Sequence, residues 1–554
     1  HTKASEESNL HFVFRLVWSS IVGIFIIIPG FMILYVINET MRFIANYRLR
    51  RKYGPKTTVL EEGSDAVWLY RAQNGKRQIL YLAINDEPMD LEKHQQNYMD
   101  KILCRPEYQK LKQIFAIDFG FNIQKYDVNF DIKNHVKIFE GSEDRIITEE
   151  ELMDHVLPVL SEEMDESKPQ WEDVIIPKFK YERTDSKLRS ARIFRIHHAY
   201  MDGGSNLLMI ADTQYEGKDK YPFVVDPTAP TKIALWKRAL YKFNCVLLFS
   251  WVILHGLYAP TAKVVRNRFR TPLLSGKTNY GWSKPIPMEL LQKIRTATGQ
   301  SMPTILMSVL GGAIRKLNEK FPCKNNIEVG ENDENEITVG MVAGIFPYPD
   351  LKLKNRHSIF HMKIDISDKT PLSRLASTCG TMQKAVWDPH VYLNLFIPSL
   401  FGRTPIWFSD ACMSVMGFPL VLSNIPVAQK QVKLWDNEVL DIGGWPPMLS
   451  ICGIGFVTIR YGDGLRFCAN SDKAAISKEE LDFLISQIIE EVHNLAREVG
   501  HHQHRTSGPV DKRPVLNFED NFLQLDQNNK SSLRFRLNNS INTIKDSLYK
   551  IRDP

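Results

Sequence analysis

The chain has 554 residues, 44% of them hydrophobic, enough for a large core and for more than one lobe. Its 70 basic and 64 acidic residues are interspersed and leave a net charge of +6, and no zinc-finger, RNA-recognition or P-loop spacing occurs, so the reading excludes nucleic acid as a partner. The seven cysteines are scattered, odd in number and without Cys-x-x-Cys spacing, which argues against a disulfide scaffold or zinc ribbon and for a reducing compartment.

The first segment in chain order is Leu16 to Ile37 (LVWSSIVGIFIIIPGFMILYVI), uncharged and long enough to cross a bilayer as a helix. It is too long for a cleavable signal, and no small-x-small site follows. Arg42, Arg48, Arg50, Arg51, Lys52 and Lys56 come after it and only Lys3 and Arg15 before it, so the positive-inside rule places the main body in the cytosol.

Residues 1–56 thus form an anchor with a basic flank, and 57–232 a first α/β lobe. RQILYLAI (77–84), DVNFDI (127–132), QWEDVIIPKF (170–179) and SARIFRIHHAY (190–200) predict strands. EELMDHVLPVLSEEM (150–164) predicts a helix that shows Leu152, Val156 and Val159 to the core, with Leu160 on the adjoining face. A crossover, 233–280, carries the apolar run Phe243 to Ala259, which suits an interfacial helix, a buried core helix or a second span.

The second lobe, 281–500, repeats the α/β character. Helices are predicted at PMELLQKIRTATG and MPTILMSVLGGAIRKLNEKF, and strands at HSIFHMKIDI and GFPLVLSNIP, with a hairpin across Gly462-Asp463-Gly464. The last helix opens on a Ser477–Glu480 capping box, and Gly500 is expected to end it. The polar tail 501–554 reads as largely disordered, and its HHQH run lacks partner ligands for a metal.

The densest chemistry lies in RIHHAYMDGG. If RIFRIHH is a strand, alternation puts His198 with Phe194 and Ile196 on an apolar face and His197 with Arg195 on the other. A buried, neutral His198 is then a candidate general base, with His197 supporting. Asp202 suits a helix N-cap, and Gly203 and Gly204 allow a sharp turn or a close approach to substrate. Opposed histidines cannot converge on a metal, so no metal site is expected.

The run His-His-x-x-x-Asp-Gly resembles the signature of the acyl-CoA-dependent acyltransferases with a chloramphenicol-acetyltransferase-like fold, and within them the wax ester synthase/diacylglycerol acyltransferase family. NFDIKNHVKI, SKPQWEDVII (with Gln170 where the family has Leu), VLGGAIRKL, TPLSRLASTCGTMQKA and VLSNIP extend the resemblance over about 60 to 500. Pro303 and Thr304 stand where the family carries an Asn-Asp pair.

The resemblance implies two α/β lobes with a channel between them. It also implies acyl transfer from acyl-CoA to a lipid hydroxyl, a fatty alcohol or diacylglycerol, without a resident cofactor. His198 would deprotonate the hydroxyl, Asp202 would hold the loop, Gly203 would line the site, and Ser423 and Asn424 would face the oxyanion. It further implies an endoplasmic reticulum or lipid-droplet membrane. Two alternatives stay open: a glycerolipid acyltransferase using His197 and Asp202, whose second motif is matched only by EGKD at 216–219 without its arginine, and a membrane-tethered lipid-binding protein without turnover.

Overall fold

A computed structural model describes residue 18 and residues 21–505, apart from 72, 182–186, 216–267, 272, 323–334, 345–347, 349, 368, 387–398, 401, 415–416 and 450. The crossover run 243–259 and the tail beyond 505 lie outside the described residues.

The first half contributes strands β1 (Thr58–Val59), β2 (Gln78–Asn85), β3 (Gln113–Asp118), β4 (Phe121–Tyr126), β5 (Val136–Ile138), β6 (Ile147–Thr148), β7 (Trp171–Lys180) and β8 (Arg189–His197). The second half contributes β9 (Thr278–Trp282), β10 (Ile286–Pro287), β11 (Glu336–Gly344), β12 (His357–Asp365), β13 (Leu420–Ala428), β14 (Lys433–Leu434), β15 (Asn437–Trp445), β16 (Ile454–Tyr461) and β17 (Gly464–Asp472). They assemble into two seven-stranded sheets, β14-β15-β2-β8-β7-β5 with β6 beside β7, and β10-β17-β16-β13-β11-β12 with β9 beside β17; a small β1-β4-β3 sheet stands apart.

Strands β14 and β15 belong to the second half of the chain yet complete the first sheet, where β15 runs antiparallel to β2. One apolar cluster joins the lobes: Leu80, Leu82, Ala191 and Ile193 of the first sheet share it with Trp445, Val457 and Ile459. Burial on this scale, at roughly 25 cal/mol per Å², fixes the two lobes against each other. The second lobe has its own core, built on the helices Met302–Lys320 and Lys478–Arg505. Gly312 permits it, because a Cβ there would collide with the buried Arg374–Glu491 ion pair.

The expected anchor is a helix running from Gly23 to Tyr53, exposed along its apolar part and long enough to cross a membrane. Its foot docks on the body: Ala45 and Leu49 pack with Val59, Phe121 and Ile123, and the buried Arg42 donates to the carbonyls of Leu60 and Arg403.

Three local expectations are corrected. DVNFDI is not a strand: Asp127 accepts the Asn129 amide in an Asx turn, and Asp131 caps a short 3-10 turn. The helix after Thr148 runs from Glu149 to Leu160, and Leu152–Val156 forms a wide π turn that shifts the phase, so Leu157 and Leu160 face inward and Val159 faces solvent. The terminal helix continues through Gly500 to Arg505, carrying HHQH on its last turn. Gly500 keeps helical backbone at a cost of about 1 kcal/mol relative to Ala rather than turning into the left-handed region. Its start is as expected, with the Ser477 amide donating to Glu480 and the Glu480 amide to Ser477.

Candidate active site

β8 ends at His197, so His198 is the first residue beyond the regular strand. Its amide still donates to the Arg77 carbonyl at 2.9 Å, which fixes the backbone as the chain turns. The expected contrast between the two histidines is corrected here. Both faces of the sheet are packed: Phe194 and Ile196 lie in one cluster, Ala191 and Ile193 in another. Both imidazoles are consequently buried, His197 more completely than His198.

They differ in partners instead. His197 Nδ1 accepts the Ala199 amide at 3.1 Å, while its Nε2 is enclosed without a hydrogen-bond partner. His198 Nδ1 is likewise fully enclosed without a hydrogen-bond partner. Its ring is held by the indole of Trp68, stacked face to face with 3.7 Å between centroids and 9° between planes. The His357 ring lies 5.3 Å from it, centroid to centroid.

Burial lowers the His198 pKa to about 3, and His357 adds to that effect against the opposing pull of Asp202. Burial, with Arg77 next, likewise holds His197 well below its ordinary value. Both rings are therefore neutral near pH 7, the form that can take a proton.

Asp202 opens the helix Gly203–Thr213 as its N-cap, accepting the Ser205 amide at 2.9 Å. Its carboxylate also accepts the Tyr348 hydroxyl and the Arg356 amide, both at 2.6 Å, and lies 3.6 Å from His357 Nδ1. Burial pushes its pKa up, but His357, the Ser205 amide and the Tyr348 hydroxyl outweigh that and bring it down to about 2. Asp202 thus ties the loop to the second half of the chain and does not bond to either adjacent histidine. Gly204 is required there, since a Cβ would collide with the Tyr348 hydroxyl.

A second clasp lies on the other side of the loop. Lys110 Nζ donates to Asp65 and to the carbonyls of Ala199, Tyr200 and Leu353. Asn355 donates to Asp65 and, through its side chain, to the His198 carbonyl at 2.8 Å. Trp68, Tyr348, Asn355 and His357 were not singled out from sequence. His357 heads a run whose alternation gave the strand, and a histidine at each of positions 357 and 361 was the one available signal.

Gly203 faces Ile425, whose Cδ1 would lie 3.1 Å from a Cβ there. Both residues line an apolar cavity of about 80 Å³, walled also by Tyr81, Phe194, Met209 and Trp445. Ser423 and Asn424 occupy β13 just before Ile425; Asn424 Oδ1 accepts the Thr458 hydroxyl at 2.7 Å. Among the described residues neither hydrogen-bonds to His197 or His198. Pro303 and Thr304 sit in the first turn of their helix, where Ser301 bonds to the Thr304 hydroxyl and amide. No group of three or more metal-ligating side chains occurs among the described residues.

Residues 75–263 match the model of the wax ester synthase/diacylglycerol acyltransferase catalytic domain, and residues 353–495 that of the C-terminal domain of the same family. Among solved structures, the fold is similar to the wax ester synthase/diacylglycerol acyltransferase of Marinobacter aquaeolei VT8 (TM-score 0.53, 14% identity, covering 79% of this chain and 98% of that one). It is also similar to the trichothecene 15-O-acetyltransferase of Fusarium sporotrichioides (TM-score 0.52, 12% identity, 79% and 95% covered). No curated protein matches the sequence significantly. The two family models together span more than half of the chain, which therefore belongs to the wax ester synthase/diacylglycerol acyltransferase family and is an acyltransferase of that type.

Proposed function

We propose that the protein transfers a long-chain acyl group from acyl-CoA to a lipid hydroxyl, that of a fatty alcohol to give a wax ester or of diacylglycerol to give triacylglycerol, with His198 as general base. The observation that carries this reading is a buried, neutral imidazole whose Nδ1 has no hydrogen-bond partner, its backbone bonded to residues from both halves of the chain, with an apolar cavity lined by Gly203 five residues further on. His198 takes the hydroxyl proton as the oxygen attacks the thioester carbonyl. The tetrahedral intermediate expels CoA as a thiolate, which recovers that proton. No covalent acyl-enzyme and no resident cofactor are needed.

Positioned bases of this kind contribute about 10²–10⁴-fold. The oxyanion needs fixed donors, and the Asn424 amide, its oxygen tied to Thr458, is our candidate beside Ser423. His197 spends one ring nitrogen on the Ala199 amide, and Asp202 is bonded elsewhere, which favours His198 over a His197–Asp202 pair. The apolar helix Gly23–Tyr53 supports a reaction at a membrane, in our reading that of the endoplasmic reticulum or a lipid droplet with the body in the cytosol. The acceptor then comes from the bilayer and acyl-CoA from the aqueous side.

The test is detergent-purified protein with labelled long-chain acyl-CoA and either acceptor. Labelled ester is expected. Binding of acyl-CoA without product from either acceptor would overturn the reading in favour of a lipid-binding protein.

A further inference from the structure

The foot of the anchor helix carries an exposed aromatic patch that the acyl-transfer site does not use. β3 and β4 are joined by a two-residue turn, Phe119–Gly120, in which both residues have positive φ (48° and 76°). Turns of this hand favour Asn-Gly, and a bulky aromatic residue at the first position is an outlier. Phe119 does not repay the strain by burial, for the residue is 41% exposed, and Ile117 close by is 45% exposed. Strain of this sort is a reason to look for a function.

The tip is held in place on two sides. The Ile406 amide donates to the Gly120 carbonyl at 2.9 Å, which sets Trp407, 70% exposed, next to it. On the anchor helix, the Arg48 guanidinium and Lys52 ammonium lie 5.7 and 5.8 Å from the Phe119 ring, and Lys52 and Tyr53 both bond to Asp118. The segment before Trp407 is clasped to the same helix, with Asn38 and Arg42 donating to the Arg403 carbonyl and Arg403 paired with Glu39. Exposed aromatic rings beside cations, continuous with a helix of membrane-spanning length, match the chemistry of the lipid headgroup layer.

We propose that Ile117, Phe119 and Trp407 form a collar that seats the body on an anionic bilayer, with the rings at headgroup depth and Arg48 and Lys52 facing lipid phosphates. The proposal rests on the membrane placement of the anchor helix and is independent of the chemistry at His198.

The experiment uses the full chain reconstituted in phosphatidylcholine–phosphatidylserine vesicles, with Phe119→Trp as an added reporter. Lipids brominated near the headgroup should lower the added emission roughly twofold, and lipids brominated near the chain end much less. Quenching by aqueous iodide without quenching by either bromolipid would overturn the proposal. Headgroup-level quenching should weaken in vesicles of phosphatidylcholine alone; unchanged quenching would overturn the choice of an anionic surface. Phe119→Asn supplies the residue the turn favours, so it should raise Tm in detergent while reducing bromolipid quenching of Trp407, read against Trp407→Phe. A lowered Tm with Trp407 quenching unchanged would make the ring a packing element and overturn the collar.

Discussion

Two clusters, each a histidine with an aspartate and aromatic rings, lie in the first lobe and are finished differently. Around Asp173 of β7, one carboxylate oxygen accepts His94 Nε2 at 2.9 Å and the Tyr98 hydroxyl at 2.7 Å, with Arg192 at 3.6 Å. Burial opposes the charge, but Arg192 and His94 outweigh it and hold the carboxyl below its ordinary range. The His94 ring is boxed by the edges of Tyr98 and Trp435. Around His198, by contrast, the aspartate bonds away from the adjacent histidine, and the imidazole is held between a stacked indole and the tilted ring of His357. The first cluster has its charges committed to one another. Each leaves one enclosed atom without a hydrogen-bond partner, Asp173 Oδ1 in the first and His198 Nδ1 in the second, but only in the second does that atom belong to an imidazole. On the proposed mechanism, that difference separates a group that stabilises the lobe from one that takes a proton.

Substitutions in either cluster test this difference. Asp173→Ala strands Arg192, His94 and Tyr98, and should destabilise the protein by about 3–5 kcal/mol in denaturant titration, with little change in kcat per folded molecule. Equal losses of kcat and stability would erase the distinction. Trp68→Leu should act the other way, lowering kcat about tenfold with stability and KM nearly unchanged, because the stack supports the imidazolium formed on proton transfer. Trp68→Phe keeps an aromatic face and should restore most of the rate; a Phe variant as slow as the Leu variant would assign the effect to the indole N–H.

The smallest expected change is in the pH profile. With its pKa lowered from 6.5 to about 3, His198 stays neutral, and kcat/KM should show no acid limb between about pH 8 and about pH 5.5. Stability has the opposite sensitivity. The unfolded histidine gains a proton below pH 6.5 and the folded one does not, so stability is full above 6.5 and is lost as pH falls towards about 3. The slope approaches roughly 1.4 kcal/mol per pH unit for each histidine so held. An inflection in kcat/KM near 6.5 would show that the ring is more hydrated than its burial implies.

Much of this was legible in local chemistry. Asp202 was readable as a cap because its acceptor needs only the amide three residues on, and Ser477–Glu480 for the same reason. Alternation misled at His198 because it assumes one wet face, whereas this sheet is packed on both sides and its strand stops one residue earlier. The Leu152–Val156 turn and the helical Gly500 depend on choices among nearly equal backbone forms that side-chain pattern does not report. Trp68, Asn355 and His357 reach the site only through folding, Asn355 and His357 from the second half of the chain and Trp68 from a turn without a motif. No spacing in the sequence encodes such a meeting.

The central claim is that His198, not its neighbour, moves the proton. The direct measurement is the initial rate of labelled ester formation by His198→Ala and His197→Ala protein, each confirmed folded by its Tm. A loss on the order of 10²–10⁴-fold is expected for His198→Ala and a clearly smaller one for His197→Ala. Undiminished turnover in His198→Ala, or a larger loss in His197→Ala, would contradict it.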